Sequence, residues 1–320
     1  MSTPRSRRRA PRALVLVAVL ALAIAGCSPD ASDSAPGPVG APAADLVPDT
    51  GAYLGLYYGD RGRDATDAAI GRTPQIALTY VGWEDAWTTA DFLAEDVERG
   101  QLSLVNWEPF GADLHDVVDG RYDEMLTARG EEAGELAAPV LLDLAAEMNE
   151  EEGWGGHDPE LYVAAYRHVH DLVSAAADGN VVWVWAPNNT DSAGSPGALE
   201  YYPGDEYVDW TGIDGYNWGT SEPGFTWQSF AEVFGPLYEQ LAELGKPVII
   251  GETASDEVGG SKPDWIADVV PTLQADFPAV RAVVWFDVDK ERDWRVGSSP
   301  ATQAAFRAMA TDAYLAPPAP

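Results

Sequence analysis

The chain has 320 residues, of which 52 are acidic and 19 basic, giving a formal net charge of −33. Such a surface repels polyanions, so nucleic acid and bare anionic lipid are excluded as partners while a neutral polymer is not. One cysteine permits no internal disulfide, and the four histidines show no metal-ligand spacing, so neither a metal nor a cofactor is expected.

The first elements are not part of a fold. Arg5, Arg7, Arg8, Arg9 and Arg12 precede the apolar run Ala13 to Ala25, and small residues follow. A charged, then apolar, then small-residue order marks a secretory signal peptide over residues 1–26. The run is short for a membrane-spanning helix, which needs about 20 apolar residues. Ile24-Ala25-Gly26-Cys27 resembles a bacterial lipobox, which implies lipidation of Cys27 and a membrane anchor through its acyl chains alone. The expected location is therefore the outer face of a bacterial membrane. Cleavage removes five arginines and no acid, so the basic count falls from 19 to 14 and the charge moves from −33 to −38. Residues 27–48 are rich in Ser, Asp, Ala, Pro and Gly and read as a disordered tether, as does the Pro-rich tail 316–320.

Residues 49–315 read as one domain. Apolar runs fall at Ala52–Tyr58, Gln75–Val81, Leu102–Trp107, Pro139–Ala146, Val181–Ala186, Tyr207–Tyr216, Pro247–Gly251 and Ala282–Phe286. Several are apolar throughout, as expected of strands covered on both faces. Helical stretches lie between them. In Pro159–Ala177, Tyr162, Tyr166, Val169 and Val173 form one stripe, with Asp158 as cap and Pro159 in the first turn. Thr226–Leu244 ends at Gly245, directly before the next strand. Eight strand–helix repeats in a chain of this length predict a single α/β domain, a closed (β/α)₈ TIM barrel acting as a monomer. An open doubly wound sheet would announce a G-x-G-x-x-G turn after its first strand, and Gly59-Asp60-Arg61-Gly62 is not one.

Active sites of such barrels lie at the C-terminal strand ends. Strand three ends in Asn106-Trp107-Glu108-Pro109, and strand four in Glu147-Met148-Asn149 with Trp154 beyond. Strand five ends in Trp185-Ala186-Pro187-Asn188, strand six in Tyr216-Asn217-Trp218, strand seven in Glu252-Thr253, and strand eight in Trp285-Phe286-Asp287. Glycoside hydrolysis needs one carboxylic acid to protonate the leaving oxygen and one carboxylate to face the developing cation. Glu147 and Glu252, offset by three strands, are the expected pair, at a spacing of about 5–5.5 Å for a retaining enzyme. Trp107, Trp154, Trp185, Trp218, Trp285, Asn188, Tyr216 and Glu108 are the expected sugar-binding groups, since indoles stack on sugar faces and polar tips bond hydroxyls. Glu150-Glu151-Glu152 reads as a solvated loop.

With these pieces in order, the sequence resembles glycoside hydrolase family 26, whose members are (β/α)₈ retaining enzymes such as β-mannanases, some β-1,3-xylanases and lichenases. The resemblance rests on Glu147-Met148-Asn149, Val184 to Asn188, Tyr201-Tyr202-Pro203-Gly204-Asp205-Glu206-Tyr207-Val208-Asp209, Ile213 to Tyr216, and Pro247 to Thr253. It implies that Glu147 is the acid/base, Glu252 the nucleophile, and Tyr216 the residue orienting it. It also implies a polysaccharide substrate. Asp143, Ala146 and Glu150 stand where the family has arginine, histidine and glycine. Either the substrate then differs from mannan or another group replaces the histidine. The competing expectation is a catalytically silent lipoprotein that binds glycan through the same cleft.

Overall fold

A computed structural model describes residues 46–59, 61–87, 91–150 and 153–317. The signal peptide, Cys27, the tether up to residue 45, Glu151 and Glu152 lie outside the described residues.

Eight strands alternate with helices: β1 (Tyr53–Tyr58), α1 (Arg63–Ile70), β2 (Ile76–Gly82), α2 (Asp91–Glu98), β3 (Leu102–Glu108), α3 (Leu114–Val118), α4 (Asp123–Gly134), β4 (Val140–Leu144) and α5 (Pro159–Ala176). There follow β5 (Val181–Trp185), β6 (Trp210–Asn217), α6 (Phe230–Ala242), β7 (Val248–Ser255), α7 (Lys262–Ala275), β8 (Val280–Asp287) and α8 (Pro300–Ala310). Each strand pairs in parallel with the next, and β8 returns to β1 with Leu54 beside Val283, so the ring is closed. This is the (β/α)₈ architecture that the repeats predict.

Local chemistry sets the helix ends. Asp158 accepts from Leu161 N at 3.1 Å to start α5, with Pro159 in its first turn. Ser229 and Glu232 form a reciprocal capping box on α6, so that helix begins four residues later than its apolar period suggests. The repeat breaks once. Between β5 and β6 the described chain forms two 3-10 turns, Ala198–Tyr201 and Asp205–Tyr207, in place of a helix. The Tyr-Pro-Gly-Asp stretch is this crossing: Pro203 O accepts from Arg167 Nε of α5 at 2.7 Å, and Asp209 Oδ2 accepts from Trp183 N at 2.8 Å.

Strand alternation divides the core in two. Ile76, Leu78, Leu102, Leu104, Leu141, Val182 and Ile249 pack together inside the ring, while their neighbours along the strands pack under the helices. The boundaries expected for the tether and tail need correction here. Leu46 is only 2% exposed and joins the cluster inside the ring, and Gln75 Nε2 donates to Pro317 O at 3.1 Å. Composition alone hides this, because Leu46 and Val47, which both pack on that cluster, are too few to stand out in a polar tract.

Candidate active site

Two adjoining chambers open at the C-terminal ends of the strands. The larger holds about 580 Å³ and is lined by Tyr57, Tyr80, Glu108, Phe110, Glu147, Glu150, Asn188, Tyr216, Trp218, Glu252, Phe286, Val288, Lys290, Glu291 and Trp294. The smaller, of about 210 Å³, is bounded by Asn106, Glu108 to Phe110, Ala145 to Glu147, Glu150, Gly153, Trp154 and Glu252. Glu147 and Glu252 line both, so the two acids expected from opposite sides of the barrel meet at one mouth.

Backbone irregularity aims both. Just past β4, Ala145 and Glu147 have φ of 55° and 56°, in the left-handed region that a non-glycine residue rarely adopts. Such conformations cost of order 1–3 kcal/mol each and gather at functional sites. Here Glu147 N donates to Ala186 O at 2.8 Å, which fixes the turned backbone to β5. On the other side the β6–β7 and β7–β8 registers shift at Ile213/Asp214 and between Ile250 and Thr253. Bulges of this kind re-aim a side chain. β7 therefore continues through Glu252 to Ser255, four residues beyond its expected end, and Glu252 sits within the strand instead of after it. Gly251 lets the strands approach closely there, because a Cβ would stand 2.6 Å from Asp214 Oδ1 and displace that carboxyl.

The two carboxyls have different partners. Asn188 Nδ2 donates to Glu147 Oε1 at 2.8 Å, and Asn149, fully buried, holds Asn188 by accepting from its backbone N at 2.9 Å. Glu252 accepts from Tyr216 OH at Oε2 and from Tyr80 OH at Oε1, both at 2.5 Å, with Asn106 Nδ2 at 3.4 Å. Hydrogen bonds to an ionised oxygen are short and strong, and they favour the charged form. Burial and the neighbouring Glu252 charge push Glu147 up to about 8. Burial also raises Glu252, but the Tyr216 and Tyr80 hydroxyls, Lys290 and Asn106 all oppose it. Beneath them, on the inward faces of β4 and β6, Asp143 and Asp214 are buried. Desolvation first, and the Glu252 charge second, lift both well above the usual carboxylate range.

Of the residues expected to bind sugar, Asn188, Tyr216, Trp218 and Glu108 line the larger chamber and Trp154 the smaller. Trp107, Trp185 and Trp285 do not, and this corrects the sequence reading. Each is at most 1% exposed and packs outside the ring: Trp107 stacks on Trp83 at 4.6 Å, Trp185 meets Tyr202 at 5.1 Å, and Trp285 Nε1 donates to Trp294 O at 2.8 Å. The reason is parity. Asn106 and Glu108 of β3, and Phe286 of β8, face the mouth, so the tryptophans between or before them must face the helices. Tyr80, Asn106, Phe110, Lys290 and Trp294 went unrecognised. Tyr80 had a signal, since it shares its strand face with Ile76 and Leu78. Lys290 and Trp294 lie on the loop after β8 and had none.

Residues 115–295 match the sequence model of glycosyl hydrolase family 26. The chain belongs to that family. Among curated relatives, Endoglucanase H of Acetivibrio thermocellus is 34% identical over 266 residues, covering 80% of this chain and 30% of that protein. Mannan endo-1,4-beta-mannosidase of Bacillus subtilis is 29% identical over 158 residues, covering 45% of this chain and 39% of its own length. The chain thus spans well under half of either relative. Among solved structures, GH26C from Muricauda sp. MAR_2010_75 superposes with a TM-score of 0.61 at 16% identity, over 83% of this chain and 86% of that one. At that identity the likeness concerns the barrel fold alone.

Proposed function

We propose that this chain cleaves a β-linked glucan internally by double displacement, with Glu147 as acid/base and Glu252 as nucleophile. The observation carrying this reading is the contrast between two carboxyls in one cleft. Glu147 has a single amide donor and is pushed up to about 8, whereas Glu252 has a phenol on each oxygen. A protonated acid beside a stabilised carboxylate is what the first step requires.

In that step Glu252 attacks the anomeric carbon, and the glycosidic C–O bond breaks. The Glu147 proton passes to the departing oxygen, leaving a glycosyl ester on Glu252. Glu147, now ionised, takes a proton from water. The resulting nucleophile attacks the same carbon, the ester C–O bond breaks, and the sugar leaves with its original anomeric configuration. Tyr216 and Tyr80 restrain the nucleophile and favour its charge between turnovers. Glucan is preferred to mannan because the relative matched over most of this chain is named an endoglucanase, and because Ala146 fills the family histidine's position. Export and lipidation at Cys27, which would hold the enzyme against polymer outside the cell, belong to the same proposal.

The test is reducing-sugar release from β-1,4-glucan, mixed-linkage glucan, β-1,3-xylan and mannan by the wild-type chain, Glu147→Gln and Glu252→Gln. Release from a glucan that both substitutions abolish supports the reading. Silence of the wild type on all four, with glycan binding intact, would support the silent binder that Asp143 and Ala146 suggest.

A further inference from the structure

We infer that Phe110 is a sugar-stacking platform, and that it gives the smaller chamber a preference for a gluco-configured ring. The inference rests on the hydrolase reading above and goes further, naming the side chain that selects the sugar beside the cleavage point.

Phe110 is 72% exposed, although it belongs to no helix or strand that requires it there. It is also held firmly. Ala112 N donates to Pro109 O at 2.9 Å across the turn Pro109–Ala112, and Gly111 at its third position has φ of 86°. That combination is the glycine-dependent type II arrangement. Trp154 Nε1 also fastens the turn by donating to Ala112 O at 3.2 Å. Among the described residues no aromatic ring packs on Phe110, so the phenyl face stays open while its backbone is fixed. A single exposed apolar side chain is ordinary on a protein surface, so the argument rests on where this one stands. This one borders both chambers.

The surroundings define the occupant. Glu108 and Glu150 flank Phe110 in both chambers, supplying acceptors for hydroxyl donors around a central apolar face. A flat ring with C–H bonds on its faces and hydroxyls around its edge fits that pattern. β-Glucose has all its hydroxyls equatorial, so either face can lie on a phenyl ring. Mannose carries an axial 2-hydroxyl that stands up from one face. Ala146 contributes only a methyl group to this chamber, leaving room for the ring itself.

The experiment compares the wild-type chain with Phe110→Ala, Phe110→Trp and, as a control on an exposed apolar residue that lines neither chamber, Val118→Ala. Calorimetric titration uses hexasaccharides of β-1,4-glucan, mixed-linkage glucan and β-1,4-mannan, and hydrolysis of the matching polymers is followed alongside. Phe110→Ala should raise the Kd and KM for the glucan about tenfold, close to 1.4 kcal/mol. The change for mannan should be smaller, Phe110→Trp should restore binding, and Val118→Ala should match wild type. Equal glucan affinity for wild type and Phe110→Ala, or an equal loss on glucan and mannan, overturns the platform while leaving the hydrolase reading intact. A wild-type chain that binds glucan without cleaving it refutes the hydrolase reading, and the titrations still decide the platform. No binding of any hexasaccharide by wild type overturns both.

Discussion

Removing the amide that touches Glu147 should move the alkaline limit of activity upward. With its carboxyl pushed up to about 8, Glu147 at pH 7 is about 90% protonated, whereas at the ordinary value of 4.5 it would be about 0.3% protonated. The raised value therefore supplies a factor of about 300 in the fraction of enzyme holding the required proton. Asn188 works against this, because its 2.8 Å donation to Oε1 favours the ionised form. A hydrogen bond to a charged group contributes about 1.5–3 kcal/mol, and the protonated acid retains part of it through its carbonyl oxygen. The net loss in Asn188→Ala should then be about 1.4 kcal/mol, equal to about one pKa unit. The assay is kcat/KM on the preferred glucan from pH 4 to pH 10. The wild-type alkaline limb should lie near pH 8, and that of Asn188→Ala about one unit higher. A wild-type limb below pH 6, or a downward shift in the variant, would refute the reasoning.

Tyr216→Phe removes a 2.5 Å donor from Glu252, so the acid limb should move upward and kcat should fall about 10- to 100-fold, read in the same profiles. Glu147→Gln tests the linkage between site and stability. The native chain keeps a proton on this acid above 4.5 that the unfolded chain releases, so its contribution to stability declines as pH rises from about 4.5 to about 8. The variant should accordingly match wild type at pH 4 and melt a few degrees higher at pH 8, by calorimetry. Asp143→Asn keeps the shape of a carboxyl that burial and Glu252 hold well above the ordinary range, and should likewise raise the melting temperature at alkaline pH. Leu46→Ala should cost about 2–5 kcal/mol in urea unfolding if this buried side chain seals the barrel.

Much of this was legible in the sequence, because a strand buried on both faces writes itself as an apolar run. Eight such runs, with Asp158 and Gly245 at helix ends, lead to the ring of β1 to β8. The positions of Glu147 and Glu252 after or within apolar strands were legible for the same reason. Orientation was less so. Trp107, Trp185 and Trp285 lie at the right height on the barrel but on its outer face, a distinction carried by a single residue of parity. The bulges that bring Glu252 inward leave no pattern in composition, because a register shift depends on both neighbouring strands. Tyr80 acts through an oxygen contributed by a strand three positions away around the ring, across the β8–β1 closure, and Lys290 through a loop without periodicity.

Proton NMR of the first product released from a β-glucan tests the central claim most directly. Attack by Glu252, followed by water assisted by Glu147, predicts that the new reducing end appears first as the β anomer and only later equilibrates toward α. An α anomer appearing first would mean a single displacement by water, and would contradict the assignment of Glu252 as nucleophile.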